Sequence, residues 1–191
     1  MLIELLILLP IILVCITVHE YSHAKAADIL GDPTPRLAGR LTLNPLAHID
    51  PVGFLALLIF RIGWAKPVPI NPYNFRNPNQ GMMLTGLAGP ASNFFMAWIL
   101  AIVLKTVPFS SQLWVSVLQT AIFINLALMI FNLLPIPPLD GSRIYTQFLP
   151  YEWQVMLERY GFFLLILIIL LQPTQDLLFF LINSVYRLLM L

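Results

Sequence analysis

Charge and cysteine are what this sequence has least of. Of its 191 residues only 10% are Asp, Glu, Lys or Arg, against roughly 25% in soluble domains. The chain is 59% hydrophobic, with a mean hydropathy of +0.86. A water-soluble fold of this size could not hide so much apolar surface, so the composition implies an integral membrane protein. The single cysteine, Cys15, excludes an internal disulfide and, inside an apolar run, reads as packing. A net charge of +1 gives no basis for a nucleic-acid partner. The N-terminus lacks the basic n-region and small-residue cleavage site of a signal peptide. Met1–Val18 therefore reads as the start of a retained transmembrane helix.

What is present is a set of long apolar runs. A spanning helix needs about 20 mostly apolar residues, and four stretches qualify: Leu2 to about Ala27, about Met82–Leu104, about Leu113–Leu134 and about Tyr160–Ile182. The expected fold is an all-α polytopic bundle, a single domain over residues 1–191 with no appended regulatory domain. Pro51–Phe60 is apolar but too short to span alone, which suggests a re-entrant, interfacial or bundle-packed helix. Gly63–Gln80 is rich in proline and asparagine. That excludes a regular helix and favours an extended hairpin or ordered loop.

Basic residues orient the chain. With four spans, Lys25, Arg36, Arg40, Arg61, Lys66, Arg76, Arg143 and Arg159 fall on one side, and Lys105 and Arg187 on the other. The first side is then cytoplasmic and both termini lie outside.

Into the first apolar run is set His19-Glu20-Tyr21-Ser22-His23. Two histidines four apart share one helix face, with a carboxylate beside them, which is the HExxH zinc arrangement. His19 and His23 supply two zinc ligands. Glu20 is placed as general base on water and then as proton donor to the leaving amine. The alternative is a chance pattern, but ionisable groups at membrane depth usually have a function.

The third ligand should be an acid, cysteine or histidine at the same depth. Asp140 follows the third span in a proline-broken stretch, Leu134-Pro135-Ile136-Pro137-Pro138-Leu139-Asp140. The topology brings it to the same cytoplasmic third of the membrane as His19. Broken helix is tolerated there where it lines a cavity. Asp140 could instead cap a following helix.

Taken together, HExxH at His19–His23, Leu139-Asp140-Gly141, Asn132 eight residues before the aspartate, and Ala88-Gly89-Pro90-Ala91-Ser92-Asn93 resemble the site-2 protease family of intramembrane zinc metallopeptidases. Leu43–Pro51 resembles one compact prokaryotic subgroup. The resemblance implies one zinc per chain held by His19, His23 and Asp140, water activated by Glu20, and Asn132 donating to the substrate carbonyl. Asn132 could equally tie two helices together. His48 could orient a ligand, contact substrate or be structural. Asn93 could brace an interhelical hydrogen bond or contact substrate. The resemblance further implies transmembrane protein substrates, a lipid bilayer environment, and a prokaryotic inner membrane with the site facing the cytoplasm. Competing readings are a membrane zinc transporter, which also places His and Asp in membrane helices, and a catalytically silent scaffold.

Overall fold

The computed structural model describes residues 2–60 and 63–191. Arg61, counted above among the cytoplasmic charges, lies outside the described residues. The helices are α1 (Leu2–Ile29), α2 (Thr34–Leu37), α3 (Pro51–Phe60), α4 (Pro78–Thr106), α5 (Gln112–Asn132), α6 (Asp140–Tyr145), α7 (Tyr151–Leu170) and α8 (Gln172–Met190). Four of them are long and apolar enough to cross a membrane: Ile7–Ile29, Pro78–Thr106, Gln112–Asn132 and Tyr151–Leu170.

Local chemistry sets the boundaries. α1 stops where Gly31 takes φ +107, a left-handed turn that glycine adopts without a Cβ penalty. α4 starts at Pro78, whose missing N–H costs nothing in the first turn, and the Asn77 side chain accepts from the Gln80 N–H. Ser111 caps α5 by accepting from Leu113.

α4 is the centre of the bundle. Its buried positions Gly81, Thr85, Gly89, Asn93, Ala97 and Ala101 recur every four residues and form one narrow stripe of small side chains. Small residues let neighbouring helices come close in lipid, where apolar burial gives little drive to association. α1 and α5 pack along this helix, and α8 closes against α5. Ala97, Ala101, Ile122, Leu126 and Ile182 make the apolar core at one end of the stripe. Thr85, Gly89 and Asn93 carry the polar end. Phe95, Trp98, Ile99, Phe162, Phe163 and Leu167 point outward and exposed, as a lipid-facing surface requires.

Two expectations need correction. The fourth span was placed at about Tyr160–Ile182; it runs over Tyr151–Leu170, and the chain re-starts as a separate helix at Gln172. The cause is Pro173 in the first turn of α8, which cannot donate to the preceding turn and ends the helix before it. Arg159 accordingly lies inside α7 rather than in a loop. A nineteen-residue helix thus follows the fourth span, so the four-span count alone does not fix the side on which Leu191 lies. In the second, the alternative of hairpin or ordered loop expected over Gly63–Gln80 narrows to the loop, since 63–77 contains no hairpin among its described residues. It is extended, with one isolated bridge between Ile49 and Ala65 and a single 3-10 turn at Pro72–Asn74. Pro67, Pro69 and Pro72 remove the donors that a second strand would need. The short helix α3 occupies Pro51–Phe60 as its length suggested.

Candidate metal centre

His19 and His23 lie one turn apart on α1. They stand about 15 Å and 9 Å from its C-terminal end at 1.5 Å per residue. Both are buried, as is Asp140 at the start of α6. Their inner atoms converge: His19 Nε2 is 3.0 Å from Asp140 Oδ2, His23 Nε2 is 3.1 Å from the same oxygen, and the two Nε2 atoms are 3.0 Å apart. Among the described residues this is the cluster whose donor atoms could hold a metal ion.

The outer nitrogens decide the protonation. His19 Nδ1 lies 2.6 Å from Asn93 Oδ1, and His23 Nδ1 lies 2.7 Å from the carbonyl oxygen of Thr85. Asn93 shows its oxygen to His19 because its amide nitrogen donates to Asn125 Oδ1 at 2.9 Å. Asn125 is itself turned by donating to the Ala121 carbonyl. A carbonyl and an amide oxygen only accept, so both Nδ1 atoms carry the hydrogen. Both Nε2 lone pairs then face each other and a carboxylate oxygen. Three acceptors at this spacing repel unless a cation lies between them. Ligands about 2.0–2.1 Å from a tetrahedral zinc stand about 3.3 Å apart, within a few tenths of an ångström of the separations found. The donor set and its orienting partners therefore fit zinc.

α4 reaches this centre through Gly89. A methyl group added there would stand 2.3 Å from His23 Nε2 and 2.6 Å from His19 Cε1. Only a residue without Cβ lets the helix backbone pass the two imidazoles. Arg143, one turn after Asp140, sets its Nη1 3.7 Å from Asp140 Oδ1.

Comparison with known proteins gives this geometry a family. Residues 107–168 match the profile of Peptidase family M50. The chain is 38% identical over 162 residues to YwhC of Bacillus subtilis, named as a zinc metalloprotease, covering 79% of this chain and 74% of YwhC. The chain belongs to peptidase family M50. It is likewise 32% identical over 172 residues to Rip2 of Mycobacterium tuberculosis, with 86% of this chain and 66% of Rip2 covered. MJ0611 of Methanocaldococcus jannaschii is 31% identical over 109 residues, or 55% of this chain and 54% of MJ0611. Both are also named as zinc metalloproteases. No solved structure matches. Membership of M50 makes the protein a metalloprotease with zinc as cofactor, and its helices make it an integral membrane protein.

The other residues singled out in the sequence of this M50 peptidase are placed as follows. Glu20 is buried on α1 beside the ligand pair. Asn93 holds His19. Asn132 ends α5, and its amide donates to the Leu128 carbonyl of its own helix at 3.0 Å; the described hydrogen bonds do not join it to the histidines or to Asp140. His48 is also away from the cluster. Its Nε2 lies 2.8 Å from the Thr42 carbonyl and its Nδ1 3.4 Å from Arg40 Nη2. Sequence reasoning missed Thr85 and Asn125. Asn125 carried a usable signal, a lone amide in the middle of an apolar span. The part of Thr85 is played by its backbone carbonyl, which has no residue signature.

A cavity of about 440 Å³ opens between α1, α3 and α5. Its walls include Ile16, Phe54, Leu57, Ala127 and Phe131, with Thr17, His48 and Asp50 as polar exceptions. Thr17 places this cavity along α1, the helix that carries the two histidines.

Proposed function

We propose that this M50 peptidase hydrolyses peptide bonds within or beside the transmembrane segments of other membrane proteins, on the cytoplasmic side of a prokaryotic inner membrane. The observation that carries the reading is the meeting of His19, His23 and Asp140 in the interior of a spanning helix bundle, within 3.0–3.1 Å of one another. A metal centre on an exposed domain would serve a soluble substrate; one about 9–15 Å inside a spanning helix serves a chain that is itself in the membrane.

His19, His23 and Asp140 are the zinc ligands in this reading. Zinc, when bound, polarises the scissile carbonyl and makes water acidic enough to attack near neutral pH. Glu20 takes the proton of the attacking water on its carboxylate and delivers it to the amine nitrogen as the C–N bond breaks. Asn93 and the Thr85 carbonyl keep the imidazole hydrogens on Nδ1, and so keep both Nε2 lone pairs free. Asn132 is the candidate donor to the developing oxyanion; to serve, its amide must leave the Leu128 carbonyl. The apolar cavity beside Thr17 suits entry of an apolar segment from the bilayer, and the extended 67–70 stretch, beyond Lys66 whose N–H and carbonyl are taken by His48 and Arg40, offers backbone to an unwound substrate. A transporter would need access from both sides and further metal sites, and among the described residues there is a single such cluster.

The test uses purified protein and a single-pass membrane substrate. Wild type should cleave and hold one zinc; Glu20→Gln should keep the zinc and lose cleavage by about 100-fold or more, the scale of a general base. Cleavage by Glu20→Gln at the wild-type rate would overturn the assignment.

A further inference from the structure

Arg40 takes no part in the chemistry described above, yet it is only 5% exposed. Its Nη2 donates to the carbonyl of Lys66 and faces His48 Nδ1 at 3.4 Å. A guanidinium only donates, so Nδ1 of His48 is the accepting nitrogen. The ring hydrogen is then on Nε2, which donates to the Thr42 carbonyl at 2.8 Å. His48 is thereby neutral with both nitrogens engaged, which removes it from metal ligation. The Lys66 N–H returns to the His48 carbonyl at 2.9 Å, and Ala65 bridges Ile49. One buried guanidinium thus closes a ring of contacts that ties residues 40–49 to residues 63–66 across α3.

A buried cation needs a compensating charge, and Arg40 Nε has no hydrogen-bond partner. Burial pushes the guanidinium below its ordinary value, and the neighbouring charge of Glu20 opposes that shift. The segment that Arg40 ties down lines the apolar cavity: His48, Gly63, Trp64 and Ala65 are among its walls.

We infer that Arg40 is a positioning residue of this peptidase: it fastens the 63–66 segment, part of the wall of the apolar cavity proposed for the substrate, through the Lys66 carbonyl and the His48 ring. The inference rests on the proposed peptidase reading for its consequence in catalysis, but not for the fastening itself. Without Arg40, residues 63–66 lose their anchor. The cost falls on turnover, because the metal ligands are held from the other side by Asn93 and Thr85.

The experiment compares full-length wild type, Arg40→Gln and Arg40→Lys in detergent by zinc content, by hydrogen exchange over residues 63–71, and by kinetics on a single-pass substrate. For Arg40→Gln the expected result is exchange about tenfold faster in that segment, as for local release of a tethered loop. Zinc is retained, and kcat falls about 30-fold with KM within about twofold. Arg40→Lys keeps the charge and should recover at least about a third of wild-type kcat. Equal damage by both substitutions, with zinc lost in step with activity, would make Arg40 a folding residue only and overturn the inference. So would wild-type exchange and turnover in Arg40→Gln. Should wild type hold zinc but cut nothing, the peptidase reading fails. The exchange comparison then still decides the fastening, faster in Arg40→Gln supporting it and unchanged refuting it.

Discussion

Each ligand imidazole has its hydrogen assigned by the neighbour behind it. Asn93 Oδ1 at 2.6 Å and the Thr85 carbonyl at 2.7 Å force the hydrogens to Nδ1, and that leaves two Nε2 lone pairs and a carboxylate pointed at one place. Removing the carboxylate should matter most: Asp140→Ala is expected to lower zinc content at equal free metal, measured by elemental analysis after dialysis. Removing an orienting partner is milder, and Asn93→Leu should weaken zinc affinity about 10–100-fold. Gly89→Ala drives a methyl to 2.3 Å from His23 Nε2, so it should lose metal although no ligand is touched. Unchanged zinc in Gly89→Ala would show that α4 can shift away at little cost. The two histidines were legible in the sequence because helical spacing alone puts positions four apart on one face. Asp140 was legible because prolines stop the helix before it. The partner of His23 was not legible, since any residue could offer a backbone carbonyl. Asn132 reads in the sequence as a substrate donor or a tie between helices, and in the structure its amide donates to Leu128 of its own helix; sequence spacing carries no information on which way an amide turns.

Among elements, the end of α1 and the 71–77 stretch are bound by a single carboxylate. Asp32 is wholly buried and accepts from the N–H of Thr34 at 3.0 Å, the N–H of Asn71 at 2.7 Å and the Asn74 amide at 2.7 Å. Burial pushes its carboxyl up, but these bonds, with the one from the Thr34 hydroxyl, outweigh it and hold the group below its ordinary value. A depressed folded-state pKa stabilises the protein above the unfolded value of about 3.9 and loses that effect as pH falls below it. The stability difference between wild type and Asp32→Asn, followed by thermal unfolding, should therefore be full at neutral pH and shrink as pH falls below about 4. A gap that widened toward acid would contradict the assignment. The stretch Asp32 anchors directly continues the one offered to substrate, and deleting Lys66–Phe75 should lower turnover more than zinc content. The break between α7 and α8 escaped the sequence reading because the apolar run before Leu171 and the one after Asp176 pass for one span once the intervening polar residues are averaged away. The local chemistry of Pro173 was the better guide than the running hydropathy.

At the scale of the whole molecule, the paucity of charge is what lets a zinc centre sit where water is scarce. Apolar side chains such as Phe95 and Trp98 of α4 look outward, and polar groups of the site are gathered near one end of the α4 stripe. With Arg61 outside the described residues and Arg159 inside α7, Lys25, Arg36, Arg40, Lys66, Arg76 and Arg143 still fall on the side of the metal centre, against Lys105 in the last turn of α4. By the positive-inside bias, a reporter inserted between α4 and α5, at Pro108–Ser111, should be external, and one at Asn71–Arg76 cytoplasmic. The reverse result would invert the proposed orientation without disturbing the fold. The central claim is proteolysis inside the membrane, and product termini test it most directly. A single-pass substrate digested by wild type and by Glu20→Gln, its fragments sequenced by mass spectrometry, should show new termini within or beside its apolar segment with wild type alone. Termini confined to a soluble loop, or the same termini with Glu20→Gln, would contradict it.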